Sequence, residues 1–194
     1  MLSNEDRRRV LIDAAETVFV RRGYHTATMD DVAHEAGMSK KTLYQIFPAK
    51  VALFEALIGE RLSFMVQPMT DDGADPVAAV IKFMTDMATA VLSPGLLAIT
   101  RLMIADASRS PEIGSALQRQ LSFNSLEQWL GRQNASGKLK VGDPYEAAGM
   151  LYGIVMGDLT IRLLLSIETL PTPEQIRSRV ERATRIFLKG VRAF

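Results

Sequence analysis

The chain of 194 residues contains no cysteine and only two histidines, His25 and His34. Without cysteine there is no disulfide, no thiolate nucleophile and no cysteine-ligated zinc, and a reducing cytoplasm is the natural setting. No other residues show the spacing of a metal site or of a nucleophile with its base. The sequence therefore predicts that the protein binds no metal or cofactor and is not an enzyme. The alternative is an enzyme that uses carboxylates alone.

Long apolar runs and a strong charge of one sign are also absent. The longest uncharged apolar stretch, residues 147–157, is too short to span a bilayer and is followed by Asp158. The charged N-terminus has no apolar segment behind it, so we expect no signal peptide, no membrane partner and a cytoplasmic location. The formal net charge is +1, so any surface for nucleic acid has to be local.

Helical spacing of apolar residues recurs along the whole chain and almost no strand-like alternation occurs, which predicts an all-α fold of about nine helices. Among these we expect one long seventh helix over residues 112–134. A turn-rich break at residues 68–76 follows the fourth helix. We predict a helix-turn-helix domain over residues 1–50 and a larger helical domain over residues 51–194, connected through a helix at about residues 49–67.

Three helices are predicted within the first fifty residues. The first covers residues 4–22, and the second starts after Thr28, whose hydroxyl and the Asp31 carboxylate form a capping-box pattern. Gly37 ends this helix after about two turns, and Ser39 caps a third helix that Pro48 closes. Two short helices joined by a tight turn, the second of them polar on its outer side, are typical of a helix that enters the DNA major groove.

The residues of this region resemble a known family. Segments 23–24 (GY), 28–33 (TMDDVA) and 36–50 (AGMSKKTLYQIFPAK) are similar to the TetR family of bacterial regulators, and the similarity covers about residues 9–57. The rest of the chain resembles the family's ligand-binding and dimerising domain in helix number and length. Lys41 and Ile46 differ from the family's usual residues, so no operator sequence follows from the resemblance.

The resemblance implies a set of DNA contacts on double-stranded operator DNA. Thr28, Tyr44 and Lys50 would contact phosphates, and the residues that open or line the third helix would address base edges or nearby phosphates. Lysine and glutamine side chains suit base edges, whereas hydroxyl groups and helix N-termini suit phosphate oxygens. For Tyr44, half-buried packing is the alternative. The expected DNA-binding residues are Thr28, Ser39, Lys40, Lys41, Thr42, Tyr44, Gln45 and Lys50.

Three glycines four residues apart in the eighth helix indicate a close approach of another helix, since each costs about 0.8–1.0 kcal/mol of helix propensity relative to alanine. The family resemblance implies that the last two helices form a four-helix bundle in a homodimer. Packing within one subunit, or room for a ligand, is the alternative. The expected interface residues are Gly149, Gly153, Gly157, Ile176, Val180, Ala183 and Phe187.

A pocket for a small-molecule effector would need an adaptable apolar lining, which methionine and aromatic residues supply. Core packing is the alternative for each of them. Two charges in apolar surroundings, Arg101 and Asp158, are expected either to be ion-paired, Asp158 with Arg162, or to meet a polar group of the ligand. The candidates are Met65, Phe83, Met87, Arg101, Met103, Phe123, Trp129, Tyr152, Met156 and Asp158.

Together these features predict a homodimeric DNA-binding regulator, a repressor that leaves its operator when a small molecule binds in the C-terminal domain. A helical protein-interaction module that does not bind DNA is the alternative. Since one short reading helix on a nearly neutral chain would bind DNA weakly, we expect DNA binding to require the dimer.

Overall fold

The computed structural model describes residues 2–63, 69, 75–120 and 124–191. In this part of the chain there are ten α-helices and no β-strand, so the predicted all-α fold is confirmed. Where one long helix was predicted over residues 112–134, two helices lie on either side of residues 121–123. The helices are α1 (Asn4–Arg22), α2 (Met29–Glu35), α3 (Lys40–Ile46), α4 (Lys50–Arg61), α5 (Pro76–Val91), α6 (Pro94–Asp106), α7 (Pro111–Gln120), α8 (Asn124–Ala135), α9 (Pro144–Leu164) and α10 (Pro173–Val191).

The chain divides into two compact units. Unit 1 comprises residues 1–63 and 98–121, and unit 2 comprises residues 64–97 and 122–194. The helices α1–α4 and α7 belong to unit 1, whereas α5, α8, α9 and α10 belong to unit 2. Residues distant in sequence are therefore joined in unit 1, which contains the end of α6 and all of α7 in addition to the N-terminal helices.

The core of unit 1 is organised around three aromatic rings. Phe19 of α1, Tyr24 after it and Phe54 of α4 are fully buried, and their ring centroids lie 4.8–6.0 Å apart in tilted or edge-on arrangements. At the surface, Arg61 of α4 forms ion pairs with Asp13 and Glu16 of α1. Apolar packing and this pair of salt bridges hold α1 against α4.

The core of unit 2 is formed by the apolar faces of α5, α8, α9 and α10. The α10 stripe that was expected at an interface lies in this core, where its side chains are 0–7% exposed within the single chain. These side chains therefore pack within one subunit, which was the alternative to an interface with a second copy. The residues concerned are Ile176, Val180, Ala183 and Phe187.

Helix α9 is interrupted at Gly157, whose backbone has φ 46° and ψ −138°. The Arg179 side chain of α10 lies against this break: Nε donates to the Val155 carbonyl at 2.5 Å and Nη2 to the Met156 carbonyl at 3.4 Å. These carbonyl groups precede a residue that is not helical, and a side-chain donor compensates for helix hydrogen bonds that the break disturbs. Gly157 therefore serves the turn in α9 itself rather than a smooth helix face.

By length and composition alone, α9 is apolar enough to cross a bilayer. Seven of its residues are buried in unit 2, which is how the core helix of a globular domain behaves. Other apolar residues of α9, among them Met150, Ile154 and Ile161, are exposed.

We expect Gly157→Ala to lower the free energy of unfolding by about 1–3 kcal/mol, because alanine disfavours this backbone conformation. The new Cβ would also lie 2.7 Å from Nη2 of Arg179. Gly114→Ala is the control, since Gly114 lies in α7 with open space around it, and there alanine should stabilise by about 0.5–1 kcal/mol. Urea denaturation measures both, and a stabilising Gly157→Ala would show that α9 does not need the break.

Candidate functional site

Helix α2 begins at a complete capping box. The Asp31 amide donates to the Thr28 hydroxyl oxygen at 3.1 Å, and the Thr28 amide donates to the Asp31 carboxylate at 3.0 Å, which confirms the predicted cap. Hydrogen bonds from the Thr28 hydroxyl and amide, aided by Arg22, hold the pKa of Asp31 below its usual value. The Thr28 hydroxyl is thus occupied in capping α2, although the residue remains exposed at the end of the helix.

The turn between α2 and α3 is a Schellman motif. The Met38 amide donates to the Ala33 carbonyl at 2.9 Å and the Gly37 amide donates to the His34 carbonyl at 3.1 Å. Gly37 has φ 62°, a left-handed conformation that glycine adopts without a steric penalty. This turn closes α2 and directs the chain into α3, as expected from Gly37 in the sequence.

Helix α3 is capped by Ser39, whose hydroxyl oxygen accepts the Thr42 amide at 3.1 Å. Its inner side carries Leu43, with Phe47 just beyond the helix, and both are buried as Val32 and Ala33 of α2 are. The Ser39 and Thr42 hydroxyl groups also lie 2.9 Å apart, within hydrogen-bonding distance. Ser39 and Thr42 therefore shape the start of α3.

The outer side of α3 is polar and exposed. Tyr44 is 48% exposed, so about half of this residue is open to solvent. Lys40 forms an ion pair with Asp30 of α2, whereas Lys41 has no ion pair among the residues that the structure describes. A helix held by its inner face with free polar groups on its outer face can enter a groove of DNA. The side chains on this surface are Lys40, Lys41, Tyr44 and Gln45.

Several basic residues of unit 1 have internal partners instead of facing solvent alone. Arg21 forms an ion pair with Glu35 at 2.8 Å and Arg22 with Asp31 at 2.7 Å, which ties the end of α1 to α2. The Arg8 guanidinium lies 5.6 Å from the centroid of the Phe47 ring. Part of the basic clusters therefore orients α2 and α3.

Lys50, at the start of α4, also points inward. Its ammonium group donates to the carbonyls of Tyr24, His25 and Ala27 at 2.8, 3.2 and 3.0 Å. The same nitrogen lies 4.5 Å from the centroid of the Tyr24 ring. This arrangement does not support the direct phosphate contact expected from the sequence. The sequence did not predict the contact of Lys50 with the loop before α2. The acceptors are backbone carbonyl groups, which every residue type carries.

The ligand-pocket candidates lie in different places. Met65 and Phe123 are outside the described residues, and Met103 (buried) and Arg101 (exposed) belong to unit 1. Asp158 is 73% exposed and lies 3.9 Å from Arg162 and 3.7 Å from Arg179, which confirms ion pairing. The remaining candidates lie in or against the core of unit 2: Phe83, Met87, Trp129, Tyr152 and Met156.

Trp129 differs from its neighbours in this core. It is 1% exposed, and its Nε1 has no hydrogen-bond acceptor among the described residues. A buried indole N–H normally has one. Tyr152 is partly buried, and burial raises the pKa of its phenol. This region combines apolar packing with an indole N–H donor that has no acceptor among the described residues.

Several large apolar side chains of α9 in unit 2 are exposed. Gly149 and Gly153 belong to the same part of α9, and a Cβ added to either would meet no atom within 4 Å. The exposed apolar residues of α9 were not among the expected interface residues, although their spacing is visible in the sequence. The large exposed apolar side chains are Met150, Ile154 and Ile161 of α9 and Leu165 directly after it, which are 41–65% exposed.

Sequence profiles of two domains match the chain. Residues 11–57 match the N-terminal domain of bacterial regulatory proteins of the tetR family. Residues 78–190 match the C-terminal domain of AefR-like transcriptional repressors. The first match contains α2, α3 and the turn between them, and the second runs from within α5 to within α10.

Individual proteins show the same similarity. The transcriptional activator FasR of Mycolicibacterium smegmatis is 45% identical over 65 residues, which cover 34% of this chain and 30% of FasR. The uncharacterized HTH-type regulator YvkB of Bacillus subtilis is 24% identical over 94% of this chain and 96% of its own length. The structure of the flavonoid-responsive regulator FrrA superposes with a TM-score of 0.79 at 27% identity, covering 96% of this chain and 97% of FrrA.

Proposed function

Because the chain belongs to the TetR family of bacterial regulators, we propose that it is a homodimeric repressor that leaves its operator when a small molecule binds in unit 2. It is a transcriptional regulator with a helix-turn-helix, not an enzyme. The observation that carries the proposal is the outer face of α3, exposed and polar while its inner face is buried. Its place of action is the cytoplasm, where the operator DNA lies.

On DNA, α3 lies in the major groove, and its exposed side chains contact two kinds of groups, base edges and phosphates. Lys40, Lys41 and Gln45 reach base edges or nearby phosphates, since amine and amide donors match guanine and adenine edges. Tyr44 and the N-terminal end of α2 at Thr28 contact phosphates and set the orientation of α3. The ion pair between Lys40 and Asp30 is surface-exposed, so exchanging Asp30 for a phosphate costs little.

We expect the double variant Lys41→Ala, Tyr44→Ala to bind DNA flanking the protein's own gene at least about tenfold more weakly than the wild type, since each contact contributes of the order of 1 kcal/mol or more. A gel-shift titration measures this. Lys138→Ala is the control, because Lys138 is an exposed lysine in the loop after α8. Wild-type affinity in the double variant would contradict the proposed interface.

The homodimer forms through the exposed apolar face of α9, which carries Met150, Ile154 and Ile161. Isolated proteins rarely expose several large apolar side chains together, and such patches mark interaction surfaces. Gly149 and Gly153 leave room there for a helix of the second copy to approach. Two copies place two α3 helices on one face of DNA, where successive major-groove sites are about 34–36 Å apart.

We expect Ile154→Asp, Ile161→Asp to convert a dimer into a monomer in sedimentation experiments, because the partner would bury two charges without counterions. The control is Ile104→Asp, since Ile104 is 64% exposed in α6 and lies outside this face. Loss of the dimer should also remove operator binding. A double variant that stays dimeric, or an Ile104→Asp variant that dissociates equally, would place the interface elsewhere.

The effector site is proposed in unit 2, around Phe83, Met87, Trp129, Tyr152 and Met156. The buried indole N–H without a described acceptor supports it, because a ligand oxygen there would complete the hydrogen bonding. The profile of a repressor's C-terminal domain supports the direction of regulation. FrrA, similar over the whole chain, responds to flavonoids, so a planar aromatic compound with hydroxyl and carbonyl groups is the proposed ligand class.

Trp129 is the chain's single tryptophan, so its fluorescence reports on this site alone. We expect a flavonoid to quench Trp129 emission with saturation and to release operator DNA over the same concentration range. Tyr152→Ala should weaken both effects, whereas Tyr145→Ala, an exposed tyrosine at the start of α9, should leave them unchanged. Release of DNA without any change in Trp129 emission would show that the ligand binds elsewhere.

A further inference from the structure

The segment between α1 and α2, residues 23–28, is held by one ammonium group. The three carbonyls of Tyr24, His25 and Ala27 accept from Nζ of Lys50 at 2.8–3.2 Å. An ammonium has three N–H donors, and here each has an acceptor. A phosphate could reach Nζ only by displacing one of these carbonyl groups.

The same segment is held on another side by the end of α6. The Asp106 carboxylate, 6% exposed, accepts the His25 amide at 3.1 Å. Burial, together with the negative charge of Glu112 at the start of α7, raises the pKa of the Tyr24 phenol. Burial lowers the pKa of Lys50, and the negative charges of Glu112 and Asp106 oppose that change.

The position of this segment determines where α2 begins. Ala27, whose carbonyl binds Lys50, directly precedes Thr28, the N-cap of α2. The Ala27 amide donates to the Gly23 carbonyl at 3.2 Å, which closes the segment into a turn. Lys50 therefore fixes the N-terminal end of α2 from the opposite end of the helix-turn-helix, since it follows α3 in sequence.

We propose that Lys50 is a positioning residue for DNA binding: through the three carbonyls it places Thr28 and the start of α2 against the phosphate backbone, and it contacts no phosphate itself. This inference rests on the proposed DNA-binding function. It separates two roles that a lysine beside a helix-turn-helix can have. A phosphate contact contributes to the salt dependence of binding, whereas a positioning residue changes affinity without changing that dependence.

The first test is the slope of log Kobs against log salt concentration for DNA flanking the protein's own gene. For Lys50→Met we expect an affinity loss of roughly tenfold or more with the wild-type slope, because charged hydrogen bonds are lost within the protein. A phosphate-contacting lysine would instead reduce the slope by about 0.9 per subunit, or about 1.8 for two subunits. A reduced slope, or wild-type affinity, would overturn the proposal.

Lys50→Arg provides the matched variant. A planar guanidinium binds phosphate at least as well as an ammonium does, but its fork cannot donate to three carbonyls that converge on one nitrogen. We expect Lys50→Arg to bind DNA as weakly as Lys50→Met. Recovery of wild-type affinity by arginine would overturn the positioning role.

The second readout does not need DNA. Hydrogen exchange at the amides of residues 28–32 should become faster in Lys50→Met and Lys50→Arg, while the amides of α9 in unit 2 keep their wild-type protection. Unchanged exchange at residues 28–32 would overturn the inference. If the wild type itself fails to bind DNA, the proposed function is wrong, and the exchange experiment still decides whether Lys50 holds the segment.

Discussion

Seven residues are too few for a helix to be stable in water by itself, and both α2 and α3 have this length. Their existence depends on what satisfies their ends and what covers their inner faces. Thr28 and Asp31 cap α2, Ser39 caps α3, and the Schellman turn at Gly37 satisfies carbonyls between them. Burial of the apolar inner faces then fixes the angle at which the outer face of α3 is presented, and the DNA-binding function depends on that angle.

Several basic residues of this nearly neutral chain have partners within the protein. Arg21, Arg22 and Arg61 join helices of unit 1, and Lys50 holds the segment before α2. Such internal partners reduce the number of cations that are free to contact phosphates, so one copy has a small electrostatic contribution to DNA affinity. In the proposed homodimer a second copy doubles that contribution, which is the physical reason to associate the exposed apolar side chains of α9 with DNA binding.

Unit 2 shows how one helix can have a core side and an exposed apolar side at once. The break at Gly157, satisfied by Arg179, divides α9 and changes the course of its backbone. The core residues Leu151 and Val155 each directly follow an exposed one, Met150 and Ile154. An apolar helix of this kind resembles a membrane span in composition, yet its pattern is equally that of a bundle helix with a further partner.

The sequence by itself determined the all-α class, the limits of α1, the capping box at Thr28, the turn at Gly37 and the polar face of α3. These features depend on neighbours within a few residues, where residue type and helical spacing dictate hydrogen bonding and burial. Only the tertiary structure decided that the α10 stripe from Ile176 to Phe187 belongs to the core, that Gly157 accommodates a break, and that Lys50 binds carbonyls instead of facing solvent. Each of these depends on groups that lie more than twenty residues away in sequence, and a periodic pattern shows that a face is apolar without showing what covers it.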